Sequence, residues 1–171
     1  MSQQNSKLTS IASNNGEWLV LLMGIGVISA IALPSFLRQG GKAKQSENKQ
    51  YVSAMNKAQQ AVFIETTAFA TSFDALGLGI KTETTNFKYS IRATNKAAFN
   101  YGVSKEKDLK SYVGGVFLVP AKNFDTNAAK EERTTTSILC EADSFGTIKP
   151  AEPTYKNGKI ACGKGTTKRS K

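Results

Sequence analysis

Apolar residues form one unbroken run near the N-terminus, from Trp18 to Leu37, and a single carboxylate, Glu17, stands directly before it. Twenty helical residues at a rise of about 1.5 Å span roughly 30 Å, the thickness of the hydrocarbon core of a bilayer. The pattern therefore predicts a transmembrane helix over 18–37. A secretory signal peptide is the alternative, but its apolar core is only about 7–15 residues long and follows a basic segment. Here only Lys7 precedes a longer run.

A helical pattern continues beyond the apolar run. Tyr51, Met55, Ala58 and Val62 recur at intervals of four, three and four residues, which predicts a stripe that packs on a core. The polar residues between them are expected on the other faces of the helix. They are Lys49, Asn56, Lys57, Gln59 and Gln60. One long helix over 13–66 is therefore predicted, after a short leader or cytoplasmic segment, 1–12.

Glycines mark a weak point within this helix. Gly40 and Gly41 each cost about 1 kcal/mol relative to alanine in a helix, so we expect a kink over Gln39–Lys42.

The residues after the long helix predict a globular head over 67–171 with one core. Thr71 or Ser72 can cap a short helix through Ala75 and Leu76, which Gly77 closes. Segments rich in β-branched and aromatic residues then predict four strands, Phe87–Ala93, Ala98–Ser104, Tyr112–Val119 and Thr134–Glu141. The predicted fold class is α+β, with the long N-terminal helix packed against an antiparallel β-sheet of about four strands.

The chain has two cysteines, Cys140 and Cys162, and no histidine. A zinc site needs about four thiolate or imidazole ligands, so the cysteines favour a disulfide that closes the loop 140–162 in an oxidising compartment. Two buried free thiols are the alternative. No HExxH, CxxC or nucleophile-elbow motif is present, and we expect neither enzymatic activity nor a metal or cofactor.

Several segments together resemble a known family. Glu17 is followed by Gly26 nine residues later and by Pro34 eight residues after that. Further along come the segments IALPSFL, KAKQSENKQYVSAMNKAQQAVFIE and FATSFDALGLGI. In this order they resemble type IV pilins and the pseudopilins of type II secretion, in particular the bacterial type IV pilin-like proteins of the G and H group. The likeness covers Glu17 to Ile80 and resumes at the C-terminal cysteines.

The resemblance implies that the N-terminal helix assembles subunits. Glu17 would balance the N-terminal ammonium of a neighbouring subunit, because an unpaired carboxylate among apolar helices is costly. The alternative is that Glu17 lies on the first helical turn, where the helix dipole favours an anion. Gly26 and Ala30 have the small-xxx-small spacing that lets helices approach closely, and Pro34 removes a helical hydrogen bond.

The processing site departs from the family pattern, in which glycine precedes phenylalanine at the cleaved bond. The register of Glu17 places cleavage between Ala12 and Ser13, so the amino group of Ser13 would be the site of N-methylation. Cleavage after Gly16 is a second possible register. It would make Glu17 the first mature residue, so that Glu17 and Gly26 would no longer have the positions that they have in the family. A poorly processed subunit is expected to be minor rather than major.

The resemblance thus predicts a structural subunit of a type IV pilus or a type II secretion pseudopilus. Its expected partners are other pilin or pseudopilin subunits, the inner-membrane assembly platform, the prepilin peptidase and the lipid bilayer. The protein would cross the inner membrane once, with its head outside the cytoplasm or on a cell-surface pilus. The charges give the opposite topology, because Lys7 precedes the span whereas Arg38, Lys42, Lys44 and Lys49 follow it. We favour the outside location, on which the cysteine pair and the resemblance agree.

The formal net charge of +10 suggests a different function. Four cations near the C-terminus, Lys164, Lys168, Arg169 and Lys171, predict a mobile basic tail that could contact DNA or an acidic surface polymer. The alternative to a filament subunit is therefore a membrane-anchored, extracytoplasmic binding protein with a pilin fold that does not polymerise.

Overall fold

The computed structural model describes residues 15–79 and 81–169, with side chains described from residue 40 onward. Helix α1 spans Asn15–Thr66 and α2 spans Phe73–Leu76. Seven strands follow: β1 Phe87–Ala93, β2 Ala97–Ser104, β3 Tyr112–Pro120, β4 Arg133–Ala142, β5 Thr154–Lys156, β6 Lys159–Ala161 and β7 Thr166–Lys168. The chain divides into two compact units between Gly40 and Gly41. The second unit contains α1 residues 41–66 together with α2 and all seven strands.

The strands confirm the α+β class but not the predicted number of strands. Five of them form an antiparallel sheet in the order β1-β2-β3-β4-β7, and β5 and β6 form a separate hairpin. Strand β1 has the predicted ends, and β2, β3 and β4 differ from their predicted ends by one residue. The three short strands near the C-terminus were not predicted, because three residues carry little periodic signal.

The second half of α1 packs on the sheet through the predicted stripe. Met55 is fully buried and Ala58 nearly so, while Tyr51 and Val62 pack against this core with part of their surface exposed. Val52, which the periodicity did not single out, is also fully buried. Tyr51 stacks on Tyr89 of β1 with 5.0 Å between ring centroids.

Two of the polar residues that were expected on the other faces of this helix, away from the packed stripe, are buried. Asn56 and Gln59 are buried, with 4% and 0% of their surfaces exposed. Asn56 Nδ2 donates to the carbonyl of Ile138 at 3.0 Å. Gln59 exchanges two hydrogen bonds with the backbone of Ala70, at 2.8 and 2.9 Å. Because these bonds replace those to water, an amide can occupy an interior position outside the stripe that periodicity predicts.

The other face of the sheet is covered as well. Phe99, Tyr101, Val113 and Phe117 form a second core with Ile138, against which the β5–β6 hairpin packs. Strands β2 and β3 are consequently buried almost throughout. A sheet covered on both faces favours continuous apolar strands, and this accounts for the weak alternation of both segments.

Two local predictions concern helix ends and bending. Ser72, rather than Thr71, caps α2, since its Oγ accepts the amide hydrogen of Ala75 at 3.2 Å, and Gly77 closes the helix in the left-handed conformation. Helix α1 continues through Gly40 and Gly41 without ending there. The kink over Gln39–Lys42 stays a prediction.

Candidate functional site

The C-terminal segment after β4 is the candidate site, because it is tied to the sheet by the predicted disulfide. Cys140 of β4 and Cys162 are joined, with their Cα atoms 5.7 Å apart. Cys140 is fully buried in the core on the outer face of the sheet, the face opposite α1. The disulfide therefore holds residues 141–161 as a closed segment against this face.

A hairpin forms the middle of this segment. Asn157 and Gly158 connect β5 to β6 with φ angles of 51° and 77°. An Asn-Gly pair is the preferred connection of a two-residue hairpin, because both positions require positive φ. This pair was the signal that sequence reasoning missed. Pro153, just before β5, lies so close to β3 that a Cβ on Gly115 would meet its Cγ at 2.5 Å.

An ion-pair network just before the hairpin anchors the segment to β1 and β2. The carboxylate of Glu152 accepts hydrogen bonds from the Arg92 guanidinium and from the Tyr101 hydroxyl. The bond from Arg92 outweighs burial and holds the pKa of Glu152 below its usual value. Lys149 Nζ lies 3.8 Å from the centroid of the Tyr101 ring. Burial, followed by the neighbouring Glu152, raises the pKa of Tyr101, so its hydroxyl remains a donor at neutral pH.

A second network ties Glu141, the first residue of the segment, to Arg169 and to β3. Glu141, which is 8% exposed, accepts two hydrogen bonds from Arg169, at 2.9 and 3.2 Å, and one from the Tyr112 hydroxyl. Lys110 Nζ lies 3.4 Å from the same carboxylate. Burial acts to raise the pKa of Glu141, but the bonds from Arg169 and Tyr112 and the nearby cations outweigh it. The pKa is therefore below the usual value.

The predicted mobile basic tail is wrong over the described residues. Lys168 ends β7, where it pairs with Cys140, and Arg169 donates its backbone amide hydrogen to the carbonyl of Leu139 at 2.9 Å. Lys164 lies in the turn before β7. The guanidinium of Arg169 donates two hydrogen bonds to the carboxylate of Glu141. Contact of these cations with DNA or an acidic polymer stays a prediction. Lys171 lies outside the described residues.

The N-terminal site residues are described less fully. Glu17, Gly26, Ala30 and Pro34 lie within α1, where only the backbone is described. Ala12 and Ser13 lie outside the described residues. The predicted span 18–37 falls where side chains are not described. Among the residues that the structure describes, no helix is long and apolar enough to cross a membrane.

Chemistry for a metal site is not assembled in the described part of the chain. No three acidic, cysteine or histidine side chains cluster there. Both thiols are consumed by the disulfide. The arrangement holds a closed C-terminal segment against a sheet whose other face packs on α1.

This arrangement agrees with the comparison to known families. The model of the type IV pilin-like G and H family matches residues 45–163, from the second half of α1 to the residue after Cys162. No curated protein and no solved structure is significantly similar to the chain. Because the match covers more than half of the 171 residues, the chain belongs to the type IV pilin-like G and H family.

Proposed function

We propose that this protein is a minor structural subunit of a type IV pilus or a type II secretion pseudopilus. The observation that carries the proposal is the family match over 45–163, which takes in the second half of α1, strands β1 to β6 and the disulfide-closed segment. The head would lie outside the inner membrane, since a disulfide persists in an oxidising compartment. Residues 18–37 would hold the subunit in the bilayer before assembly.

Assembly through the N-terminal helix is the central element of this proposal. The spacing of Glu17, Gly26 and Pro34 supports it, together with the length of α1, 52 residues. A carboxylate in an apolar environment gains most from a fixed opposite charge, and the N-terminus of a neighbouring subunit would supply one.

A substitution tests the assembly role of Glu17. Glu17→Ala should abolish incorporation into sheared surface filaments and leave the head folded, with its disulfide formed. Glu65→Ala is the matched control, because Glu65 is an exposed carboxylate near the other end of the same helix. Normal incorporation of Glu17→Ala would contradict the assignment.

The departure at Ala12 and Ser13 from the family cleavage pattern favours one alternative, a membrane-tethered binding protein that never polymerises. The mature N-terminus distinguishes the two functions. Mass spectrometry of the protein from membranes and from sheared filaments should find a chain beginning at Ser13 in the filament fraction. An intact leader confined to membranes would support the tethered alternative.

A further inference from the structure

A cleft opens on the outer face of the sheet, where β2, β3 and β4 meet β5. Its volume is about 510 Å³, within the range of small-ligand sites. Ala97, Phe117 and Pro120 contribute to its apolar lining. Because Phe117 packs against Tyr155 with 6.2 Å between ring centroids, the β5–β6 hairpin forms one wall.

Two cations line the same cleft. Lys96 precedes β2 and Arg133 begins β4, and both are exposed. In the part of the chain that the structure describes, neither forms an ion pair with a carboxylate. Glu131 and Glu132 come just before Arg133 in the chain, but neither forms an ion pair with its guanidinium.

The hydroxyl of Tyr155 adds a third donor. Its oxygen accepts a hydrogen bond from Asn123 Nδ2 at 2.6 Å, which orients the ring. Among the described residues no acceptor takes the proton of this hydroxyl. The polar side chains that line the cleft, Lys96, Arg133 and Tyr155, thus all have hydrogens to donate, and the complementary ligand carries acceptors and negative charge.

The apolar lining and the single ring narrow the class of ligand. A free inorganic anion has no apolar surface, so it would gain no binding free energy from contact with Ala97, Phe117 and Pro120. Single-stranded nucleic acid is bound by stacking successive bases on several aromatic rings. Here Tyr155 is the one aromatic residue of the lining that is not buried, within the described structure. A sugar acid has a C–H face for one ring and a carboxylate for the cations.

We propose that this cleft binds carboxylated sugar residues of an acidic polysaccharide. A sugar ring packs against Tyr155 and the apolar lining, while its carboxylate and that of the next residue accept hydrogen bonds from Arg133 and Lys96. The site lies in the head and is independent of assembly through α1, so the Glu17→Ala protein retains it.

Calorimetric titration of the full-length protein in detergent with trigalacturonate tests the proposal. We expect saturable binding that the double variant Lys96→Gln/Arg133→Gln weakens at least about tenfold, because it loses two charge-assisted contacts. Lys88→Gln/Lys107→Gln is the matched control, since these exposed lysines lie outside the cleft and their loss changes the net charge equally. This control should bind like the wild type. Tyr155→Ala should also weaken binding, with an unchanged disulfide and unfolding temperature showing that the head is folded.

Four results would overturn the proposal. They are absence of saturable binding, an equal loss in the lysine control, equally tight binding of polyglutamate, and tighter binding of oligothymidylate. An equal loss in the lysine control would mean that binding depends only on net charge. Equally tight binding of polyglutamate would mean that the cleft does not recognise a sugar ring. Tighter binding of oligothymidylate would show that the cleft is a nucleic-acid site.

Discussion

Two asparagines of α1 fit against two glycines of the sheet. A Cβ on Gly102 would meet Asn48 Oδ1 at 1.8 Å, and a Cβ on Gly114 would meet Asn56 Oδ1 at 2.1 Å. Asn48 Nδ2 reaches the carbonyl of Gly102 at 3.0 Å, and Asn100 Nδ2 donates to Asn56 Oδ1 at 2.9 Å. Since each glycine admits an amide that bonds the sheet, these pairs set how closely helix and sheet approach.

Substitution of one of these glycines should show the effect. Gly114→Ala should lower the free energy of unfolding by about 1–3 kcal/mol, the usual cost of overpacking a core. Urea unfolding of the detergent-solubilised protein, followed by circular dichroism, measures this change. Asn56→Ala removes the clashing amide, so its cost and that of Gly114→Ala should not add in the double variant.

Gly41→Ala is the control at the residue scale, because a Cβ there would meet no described heavy atom within 4 Å. It should leave stability unchanged or raise it by up to about 1 kcal/mol, as alanine favours a helix. An equal decrease in the free energy of unfolding for Gly41→Ala and Gly114→Ala would contradict the close-packing explanation.

The short strand β7 depends on side chains more than on its backbone ladder. Only three residue pairs join β7 to β4, Cys140 with Lys168, Glu141 with Thr167, and Ala142 with Thr166. The Glu141 carboxylate adds two hydrogen bonds from Arg169, the residue after the strand. The ion pair therefore compensates for the small number of backbone pairs.

Neutralising this carboxylate should release β7. Glu141→Gln should lower the free energy of unfolding by about 1–3 kcal/mol, because it leaves buried polar groups poorly paired. Amide hydrogen exchange at Thr166–Lys168 should rise. In Glu83→Gln, the control, little change is expected, since the Glu83–Lys105 pair is exposed to solvent. Equal destabilisation by both substitutions would exclude a special role of burial.

The same carboxylate should make stability depend on pH. Because the pKa of Glu141 is lower in the folded than in the unfolded protein, its contribution is present above the usual carboxyl pKa. This contribution is lost as the pH falls from that value through the lower pKa of the folded state. Urea unfolding across this acid range should show a smaller pH dependence for Glu141→Gln than for the wild type. Identical slopes would contradict the assignment.

The second compact unit consists of α1 residues 41–66, the sheet and the C-terminal segment, packed in that order. The helix side has its own core of Val52, Met55, Phe87 and Leu139 with their neighbours. The outer side depends on Pro153, Tyr155 and Ile160, which the disulfide holds in place. The two sides should therefore differ in their response to reduction.

Reduction of the disulfide should loosen the outer layer first. Closing a loop with a sequence separation of 22 contributes about 3 kcal/mol in the chain-entropy model, and Cys140→Ser/Cys162→Ser should lose a similar amount. Hydrogen exchange should increase in β5 and β6 before β1. The oxidised wild type is the reference. Simultaneous loss of protection in β1 would show that the head is one cooperative unit without separable layers.

Sequence by itself determined the elements with strong periodic or capping signals. The stripe through Met55 and Ala58, a cap at Thr71 or Ser72 and the positions of β1 to β4 to within one residue follow from spacing and residue type, since these signals are local. The two cysteines, without histidine, pointed to the disulfide because a zinc site needs about four such ligands. The family resemblance came from the order of several such segments.

Only the tertiary structure decided which polar residues are interior and which cations form ion pairs. From the sequence, Asn56 and Gln59 were expected away from the packed stripe. In the structure they are buried, because their amides donate to the carbonyls of Ile138 and Ala70. The sequence placed Arg169 in a mobile tail, whereas in the structure its guanidinium bonds Glu141. Lys96 and Arg133 are distant in the chain, but both line one cleft. The physical reason is the same in each case. Burial and charge pairing depend on partners that only folding brings into contact.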